Sequence, residues 1–329
     1  MTANRFVIGV DLGGTNIVVG AVSEDGTRRL APRTALTHAS QGPDAVTDRI
    51  ATLIDAVIGD AHESEGVGRS AILGVGIGAP GPIDRDRGSV VVAPNLHWTD
   101  FPLRDEVGAR TGLSTWLDND ANCATFGEWW IGAGRGARDM IGLTIGTGIG
   151  GGIILGGRLY HGASGVAGEV GHMTIETQGR RCSCGNYGCL EAYASGTAIA
   201  ERAREAVSGN DSSALHGLVQ GDLSRLNARI VYEAATRGDA IALEVVRDTA
   251  KFLGAGVANL LNMFNPEVVV LAGGVTHAGH ALFEPMRAEV RRRAFRAAWE
   301  AARIVPGELA GDAGVVGAVA TFLRHDAAV

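Results

Sequence analysis

Residues 8–22 read IGVDLGGTNIVVGAV, in which two apolar runs flank a pair of adjacent glycines. The apolar run that begins at Phe6 predicts a strand, DLGGTN turns the chain, and IVVGAV predicts a second strand. Gly13 and Gly14 let backbone N–H groups approach phosphate oxygens without obstruction by side chains. Asp11 stands at the strand end, where a carboxylate can hold a hydrated Mg²⁺. The stretch therefore predicts either a plain hairpin turn or a phosphate-binding loop.

A second glycine-rich stretch follows later in the chain. IGVDLGGT at 8–15 aligns with IGLTIGTG at 141–148, an offset of 133 residues, and in both an apolar strand leads into a Gly/Thr turn. This self-similarity predicts an internal duplication, with a β-β-hairpin phosphate loop in each of two lobes. Between the copies, residues 42–61 have helical periodicity and residues 71–84 resemble a buried strand. The order β-β-α-β predicts an α/β fold.

The second stretch also has the spacing G-x-G-x-x-G, at Gly146, Gly148 and Gly151, and Glu169 follows at about the distance of a ribose ligand. A dinucleotide-dependent dehydrogenase is therefore an alternative. The dinucleotide fingerprint has to open a helix, however, whereas IILGGRLYHG at 153–162 predicts a strand and a Gly-Gly turn. We expect the loop to turn a hairpin, which disfavours the dehydrogenase.

The length of the chain predicts two domains, and its composition is that of a globular protein. The chain has 329 residues, of which 46% are hydrophobic and 20% charged, enough for a sizeable core. Twenty-nine basic and 36 acidic residues give a net charge of −7, without a basic block for nucleic acid. Lys251 is the only lysine, which excludes a Walker-type Gly-Lys-Ser/Thr loop. The start has neither a signal-peptide core nor a membrane-spanning run, so we expect a cytoplasmic protein without membrane contact.

Three of the four cysteines crowd into eight residues. Cys182, Cys184 and Cys189 form the pattern C-x-C-x4-C, and His172 precedes them. Three thiolates and one imidazole complete a tetrahedral Zn²⁺ shell and leave no position for a catalytic water. In a cytosolic chain this set predicts a structural zinc site more than disulfides. Cys123, inside an apolar helix, is expected to be a core residue.

The stretch LDNDANCATFGEWW at 117–130 places Asp118, Asn119 and Asp120 immediately before a predicted helix. The simplest interpretation is that Asp118 or Asn119 is the N-cap of this helix. The alternative is that one carboxylate is a general base, because the partial positive charge at a helix start keeps a carboxylate ionised until it accepts a hydroxyl proton. This segment alone leaves both interpretations open.

Taken together, these stretches resemble the ROK (repressor, ORF, kinase) family of sugar kinases, which has the actin-like ATPase fold, a ribonuclease H-like fold. The resemblance is to the bacterial ATP-dependent glucokinase branch of that family. No single motif is specific, but the ordered set with its Cys/His cluster is. The motifs are DLGGTN (11–16), GAPGPID (78–84), DNDAN (118–122), IGTGIGGG (145–152), GEVGH (168–172), CSCGNYGCLEAYASG (182–196) and LAGG (271–274).

The resemblance implies that the two glycine-rich loops bind the phosphates of ATP, together with Mg²⁺. Gly273 and Gly274 match positions beside the adenosine. Phosphoryl transfer requires the protein mainly to position the reactants and stabilise charge, which loop N–H groups and a metal ion can do without lysine. The residues that match phosphate-side positions are Asp11, Gly13, Gly14, Thr15, Asn16, Thr147 and Gly148.

The resemblance also implies a glucose site. Asn119 and Asp120 match sugar-binding positions, and Asp120 is expected to be the general base at the 6-hydroxyl. His172 is expected to serve both the zinc ion and the sugar. The other positions that match sugar contacts are Gly81, Asn95, Glu169 and Glu191.

The expected layout is a small α/β lobe formed by residues 1–121 with 311–329, and a large α/β lobe formed by residues 122–310 that carries the zinc-binding loop. The resemblance implies a homo-oligomer, either a dimer or a tetramer. No nucleic-acid partner is expected.

Other functions within the same family remain as alternatives. One is a kinase for mannose, fructose, N-acetylglucosamine or N-acetylmannosamine, and polyphosphate is an alternative donor. Another is a non-catalytic, sugar-sensing repressor, which would carry a helix-turn-helix domain ahead of the sugar-binding body. The first loop begins at Asp11, so we expect no such domain, and the net charge of −7 is wrong for DNA.

Overall fold

The computed structural model describes residues 5–208 and 213–324. The chain forms two compact units. Unit 1 comprises Met1–Arg138, Gly152–Gly168 and Glu308–Val329, and unit 2 comprises Asp139–Gly151 and Glu169–Gly307.

Unit 1 begins with the predicted hairpin and alternates strands with helices. Over residues 5–138 its strands are β1 (Phe6–Leu12), β2 (Asn16–Ser23), β3 (Arg29–Leu36), β4 (Ile72–Ala79), β5 (Ile83–Asp84), β6 (Ser89–Ala93), β7 (Trp98–Phe101) and β8 (Thr115–Asn119). Its helices are α1 (Pro43–Glu65), α2 (Leu103–Thr111) and α3 (Asp120–Trp130), joined at the end of the chain by α11 (Ala313–Arg324). The helix predicted at 42–61 and the strand predicted at 71–84 are both present.

The main sheet of unit 1 has the order β3-β2-β1-β4-β8. β1 is antiparallel to β2 and parallel to β4, and β4 is parallel to β8. The side chains of β1 are buried on both faces, where Ile8 packs with Ile50 and Ile54 of α1. On the other face α11 approaches so closely that a Cβ at Gly9 would lie 2.2 Å from the Val315 carbonyl oxygen. Strands covered on both faces explain why these segments are continuously apolar in sequence.

Helix α3 belongs to unit 1 because it packs on α11. A Cβ at Gly317 would lie 1.6 Å from the carbonyl oxygen of Cys123, which is itself fully buried, as predicted. In the structure the compact unit continues to Arg138.

A small antiparallel sheet of order β5-β6-β7 leads from β4 to α2. The turn after β6 carries Pro94, Asn95 and Leu96, and Leu96 is fully buried. This anchored turn fixes the backbone position of Asn95.

The second glycine-rich stretch forms another β-hairpin. It consists of β9 (Met140–Ile145) and β10 (Ile149–Leu155), followed by the short β11 (Arg158–Leu159), and Gly156 and Gly157 make the predicted Gly-Gly turn. The remaining strands are β12 (Val268–Ala272) and β13 (Arg303–Pro306), and this sheet has the order β11-β10-β9-β12-β13. It repeats the strand order of the first sheet, which confirms the predicted duplication. No helix follows the loop directly, so the dehydrogenase fingerprint is excluded.

Most of unit 2 is helical. The helices are α4 (Glu191–Ala194), α5 (Gly196–Val207), α6 (Ala214–Leu218), α7 (Ala228–Thr236), α8 (Ala240–Phe264), α9 (His280–Arg293) and α10 (Arg296–Ala301). The periodicity over 230–263 predicts helix, and the chain forms two helices there, separated at Gly238 with φ of 86°, the second capped by Asp239. The segment 200–230 has no strong pattern, and it supplies α5 and α6.

Within residues 5–208 and 213–324, no helix combines the length and the apolar character that crossing a bilayer requires. The longest, α8, has 25 residues and carries charged side chains such as Asp248 and Lys251. It packs on α9 instead.

Candidate active site

The first glycine-rich loop, in unit 1, is tied down through its carbonyl groups. The N–H of Gly13 donates to the Asn16 carbonyl at 2.9 Å, which closes the hairpin. The buried Thr37 donates its hydroxyl to the Gly13 carbonyl at 2.6 Å and its N–H to the Thr15 carbonyl at 2.8 Å. Thr15 and Asn16 are exposed. Because two of its carbonyls turn toward Thr37, the loop is held in one conformation, as a phosphate-binding loop requires.

Asp11, at the end of β1, has an unusual electrostatic environment. Its pKa is raised to about 7, mainly by burial and further by the carboxylate of Asp120. The two side chains come from strand ends that are far apart in sequence, and the parallel strands β1, β4 and β8 bring them to one edge of the sheet. This edge of unit 1 therefore carries two carboxylates that repel each other and would be stabilised by a cation.

The DND motif is divided among three structural roles. Asn119 is the N-cap of α3, and its Oδ1 accepts hydrogen bonds from the N–H groups of Ala121 and Asn122 at 2.9 and 3.1 Å. Asp120 is the first residue of the helix, where the helix partial charge favours its ionised form. Asp118, the other predicted cap, does not cap the helix but is buried at the end of β8.

Asp118 is hydrogen-bonded to a residue that the sequence motifs do not include. Its Oδ2 lies 2.9 Å from Nε2 of His161, and both side chains are more than 90% buried. Its Oδ1 accepts from the N–H of Asn119 at 2.8 Å. The only sequence signal for His161 is its place in IILGGRLYHG, which predicts a strand and a turn and no partner.

Gly81 and Asn95, two of the predicted sugar-site residues, both contact predicted site residues of unit 1. The Gly81 carbonyl accepts a hydrogen bond from Nδ2 of Asn119 at 3.1 Å. A Cβ added to Gly14 would lie 3.0 Å from Cβ of Asn95. Asn95 therefore lies against the first glycine-rich loop, and Gly81 orients the Asn119 amide.

The second glycine-rich loop, in unit 2, is anchored to the start of α5. The N–H of Gly196 donates to the Gly146 carbonyl at 2.7 Å, and the hydroxyl of Thr197 donates to the Thr147 carbonyl at 2.9 Å. A Cβ at Gly148 would lie 2.5 Å from Oε2 of Glu191, so a side chain at this position would displace the Glu191 carboxylate. As in the first loop, carbonyl groups are held by neighbouring donors.

A cavity of about 840 Å³ lies within unit 2, beside this loop. Gly274 lines it, and Gly273 forms the preceding turn with φ of 95°, where a Cβ would lie 2.5 Å from the Ile145 carbonyl oxygen. The volume is in the range of pockets that bind small molecules. Other lining residues include Gly146, Thr147, Thr197, Tyr232 and His277.

Three predicted sugar-site residues are neighbours in unit 2. Nε2 of His172 lies 3.9 Å from Oε2 of Glu169. Burial raises the pKa of Glu169, the nearby Glu191 raises it further, and His172 opposes the shift. Glu191 begins α4, accepts from the N–H of Ile149 at 2.9 Å and from the Ser183 hydroxyl at 3.2 Å. Its carboxylate is thus oriented by groups on two different segments.

The predicted zinc ligands converge. One donor atom each from His172, Cys182, Cys184 and Cys189 lies within 4.8 Å of the others. The sulfur atoms of Cys184 and Cys189 are 3.8 Å apart, and Sγ of Cys182 is 3.7 Å from Nδ1 of His172. Tetrahedral bonds of ~2.3 Å to sulfur and ~2.1 Å to nitrogen would separate such donors by ~3.6–3.8 Å. The donor set and its spacing fit Zn²⁺.

Comparison with known proteins decides the family, because residues 7–325 match the ROK family model. The chain belongs to the ROK family. The glucokinase of Halalkalibacterium halodurans is 39% identical over 323 residues, which cover 96% of this chain and 94% of that protein. The glucokinase of Thermotoga maritima is 41% identical over 313 residues, 95% of each chain.

A solved ROK structure is similar over nearly the whole fold. The ROK family glucokinase from Streptomyces griseus, in complex with glucose and AMPPNP, has a TM-score of 0.82 and 38% identity to this chain. The match covers 95% of this chain and 98% of that one. This similarity confirms the predicted actin-like ATPase fold.

Proposed function

We propose that this ROK protein phosphorylates glucose at the 6-hydroxyl with ATP as donor. The observation that carries the proposal is the arrangement of Asn119 and Asp120 at the start of α3, in a chain that is 37–41% identical to bacterial glucokinases over nearly its whole length. The helix cap is supplied by Asn119, which leaves Asp120 as the carboxylate suited to acid–base chemistry.

Asp120 is the proposed general base. The helix start stabilises its ionised form, and a carboxylate accepts the hydroxyl proton late in a loose phosphoryl-transfer step. Asn119 uses Oδ1 for the cap and one N–H for the Gly81 carbonyl, so its second N–H remains for a sugar hydroxyl. Asn119 thus orients the sugar beside the residue that removes its proton.

Phosphate binding is assigned to Gly13, Gly14, Thr15 and Asn16 in unit 1 and to Thr147 and Gly148 in unit 2. The adenosine is assigned to the cavity beside Gly274. Asp11 is assigned to hydrated Mg²⁺, because its raised pKa and its proximity to Asp120 mark a position where positive charge is favourable. When bound there, the ion would supply positive charge beside the transferred phosphoryl group.

Glu169, His172 and Glu191 are assigned to the sugar hydroxyls at the other end of the ring. Each carboxylate accepts from a hydroxyl, and a ring N–H donates to one. Bonding of Nδ1 to zinc would leave the proton on Nε2 of His172, which is the atom nearest Glu169. The predicted double role of His172 is therefore compatible with its two ring nitrogens.

A structural zinc ion is part of the proposal. His172, Cys182, Cys184 and Cys189 fill four positions, so the ion would have no open site for substrate. Its effect would be to hold the loop from which both His172 and Glu191 reach the sugar.

Three further predictions remain predictions: a dimer or tetramer, a cytoplasmic location, and a lobe boundary near residue 121. Sedimentation of the purified protein measures the first.

The test of function is the purified protein with Mg-ATP and a panel of hexoses, with ADP release as the readout. We expect glucose to give the highest kcat/KM. If mannose, fructose or an N-acetylated hexosamine gives ADP release and glucose does not, that sugar replaces glucose as the proposed substrate. If none of the hexoses gives ADP release, the proposed hexose kinase activity is rejected. Polyphosphate in place of ATP tests the donor.

A further inference from the structure

A buried hydrogen bond connects the strand end before the DND helix to a loop more than forty residues away in sequence. Nε2 of His161 lies 2.9 Å from Oδ2 of Asp118, with 9% and 3% of the side chains exposed. A hydrogen bond to an ionised carboxylate is stronger than one between neutral groups, and a buried carboxylate oxygen without a partner is costly. The pair therefore fixes the rotamer of Asp118.

The other oxygen of Asp118 holds the residues that act on the sugar in the proposed function. Oδ1 accepts from the backbone N–H of Asn119 at 2.8 Å and from Nδ2 of Asn122 at 3.3 Å. The Asn119 N–H lies directly before the first helical residue, Asp120. A rotation of the Asp118 carboxylate would break these contacts and shift the backbone from which Asn119 and Asp120 project.

His161 is itself held by a closed turn. Its carbonyl accepts from the N–H of Ala167 at 3.0 Å, and Gly162 and Gly165 adopt positive φ of 71° and 76° in between. The turn ends at Gly168, one residue before Glu169 in the chain. The turn therefore fixes the backbone that carries the imidazole, and the hydrogen bond from the imidazole orients the Asp118 carboxylate.

The surroundings favour a strong interaction. Asp118 and His161 border a cavity of about 70 Å³ together with the rings of Trp116 and Phe126. Because the side chains of His161 and Asp118 are more than 90% buried, water competes little for their hydrogen bond, which strengthens it. The charged side chains that face this cavity from the neighbouring segments are Arg85, Arg158 and Arg324.

We propose that His161 is a positioning residue for phosphoryl transfer: it orients Asp118, and through Asp118 the Asn119–Asp120 segment. The proposal rests on the proposed function, because the effect of the pair is expressed in how the sugar hydroxyl meets Asp120. It requires no contact between His161 and the substrate.

The test compares two substitutions of His161. His161→Gln keeps a side-chain N–H near the position of Nε2, whereas His161→Phe keeps a planar ring and removes the donor. We expect His161→Phe to lower kcat/KM for glucose by roughly 10- to 100-fold with KM for ATP unchanged, and His161→Gln to recover most of the loss, since small misplacements of reacting groups are costly. His62→Phe, on the exposed surface of α1, is the matched control and should behave as wild type.

The kinetic constants are normalised to the fraction of folded protein, which separates positioning from stability. If His161→Phe only lowers Tm and the folded fraction while kcat and both KM values per folded molecule stay at wild-type values, the positioning role is wrong. Should His161→Phe fail to fold, Asp118→Asn and His161→Ala, which also removes the donor, are measured singly and together. Changes in ln(kcat/KM) that simply add would overturn the proposal, because coupled residues give non-additive changes. If the wild-type protein releases ADP with none of the hexoses tested, the proposed function and this role of His161 are both rejected. If the wild type is active and the His161 variants are unaffected, only this role is rejected.

Discussion

The backbone N–H of Ile149 donates a hydrogen bond to Oε2 of Glu191 at 2.9 Å. Ile149 directly follows the second glycine-rich loop, and Glu191 lies two residues after the zinc-cluster residue Cys189. One carboxylate in unit 2 therefore contacts both the segment assigned to phosphate and the loop assigned to zinc, in addition to its predicted role at the sugar.

This contact predicts different effects for two substitutions of Glu191. Glu191→Gln keeps an oxygen that accepts from Ile149 and should raise KM for glucose while KM for ATP stays near wild type. Glu191→Ala leaves the Ile149 N–H without its partner and should raise both KM values, because the loop at 146–148 loses an anchor. Steady-state kinetics with each substrate varied distinguishes the two. If Glu191→Ala changes only KM for glucose, the hydrogen bond between Ile149 and Glu191 does not contribute to ATP binding.

Asp120→Asn tests the general base. The substitution keeps an Oδ1 that accepts from the Ala121 N–H, so the helix start should remain intact. We expect kcat to fall by about 10²- to 10⁴-fold, with glucose binding retained, because only proton acceptance is removed. Asp105→Asn, also in the first turn of a helix, is the control and should keep its turnover. Near-normal turnover of Asp120→Asn would assign the base elsewhere.

Zinc should be present at about one ion per chain when the protein is measured by elemental analysis, because the four donors make one complete shell. Cys184→Ser should lower the zinc content and Tm together, since Cys184 is exposed and its loss removes little packing. Cys123→Ala is the matched control, because Cys123 lies outside the cluster, and zinc content should not change. Wild-type protein without zinc would contradict the assignment.

Asp11 predicts a pH dependence of stability. Its pKa is about 7 in the folded chain against an ordinary value of 3.8, so the folded state binds more protons between these values. The free energy of unfolding contributed by Asp11 therefore falls as pH rises from about 4 to about 7. Asp11→Asn should remove this dependence. The stability of the variant relative to wild type should therefore be higher at about pH 8 than at about pH 4.

Urea unfolding at several pH values, without Mg²⁺ or nucleotide, measures this difference, with the exposed Asp86→Asn as control. A difference between Asp11→Asn and wild type that is the same at all pH values would contradict the interpretation.

Glu128 predicts a stability effect with no direct role in substrate binding. Its buried carboxylate accepts from the N–H groups of Ala133, Glu308 and Leu309 at 2.9–3.0 Å. In Glu128→Gln an amide NH₂ would face one of these donors, so we expect a loss of about 1–3 kcal/mol in unfolding free energy. The exposed Glu65→Gln should change it by less than about 1 kcal/mol. Equal effects of both in urea denaturation would contradict this account.

Much of the fold could be predicted because the signals are local. A glycine-rich turn after an apolar run predicts a hairpin at both 8–22 and 141–157, and the structure contains both. The sequence does not show the break at Gly238, because apolar spacing continues across it, and it does not show that Gly317 lets α11 approach α3. The way in which helices pack on each other depends on contacts between segments that are distant in the chain, and a short stretch of sequence does not contain these contacts.

The sequence by itself determined the duplicated hairpins, the family and the four candidate metal ligands, because each depends on residue type and spacing within a short segment. Only the tertiary structure decided that Asn119 is the cap, that Asp118 pairs with His161, and that burial beside Asp120 raises the pKa of Asp11. These are contacts between segments distant in the chain. Their energies depend on which side chains are brought together and removed from water, and that is set by packing.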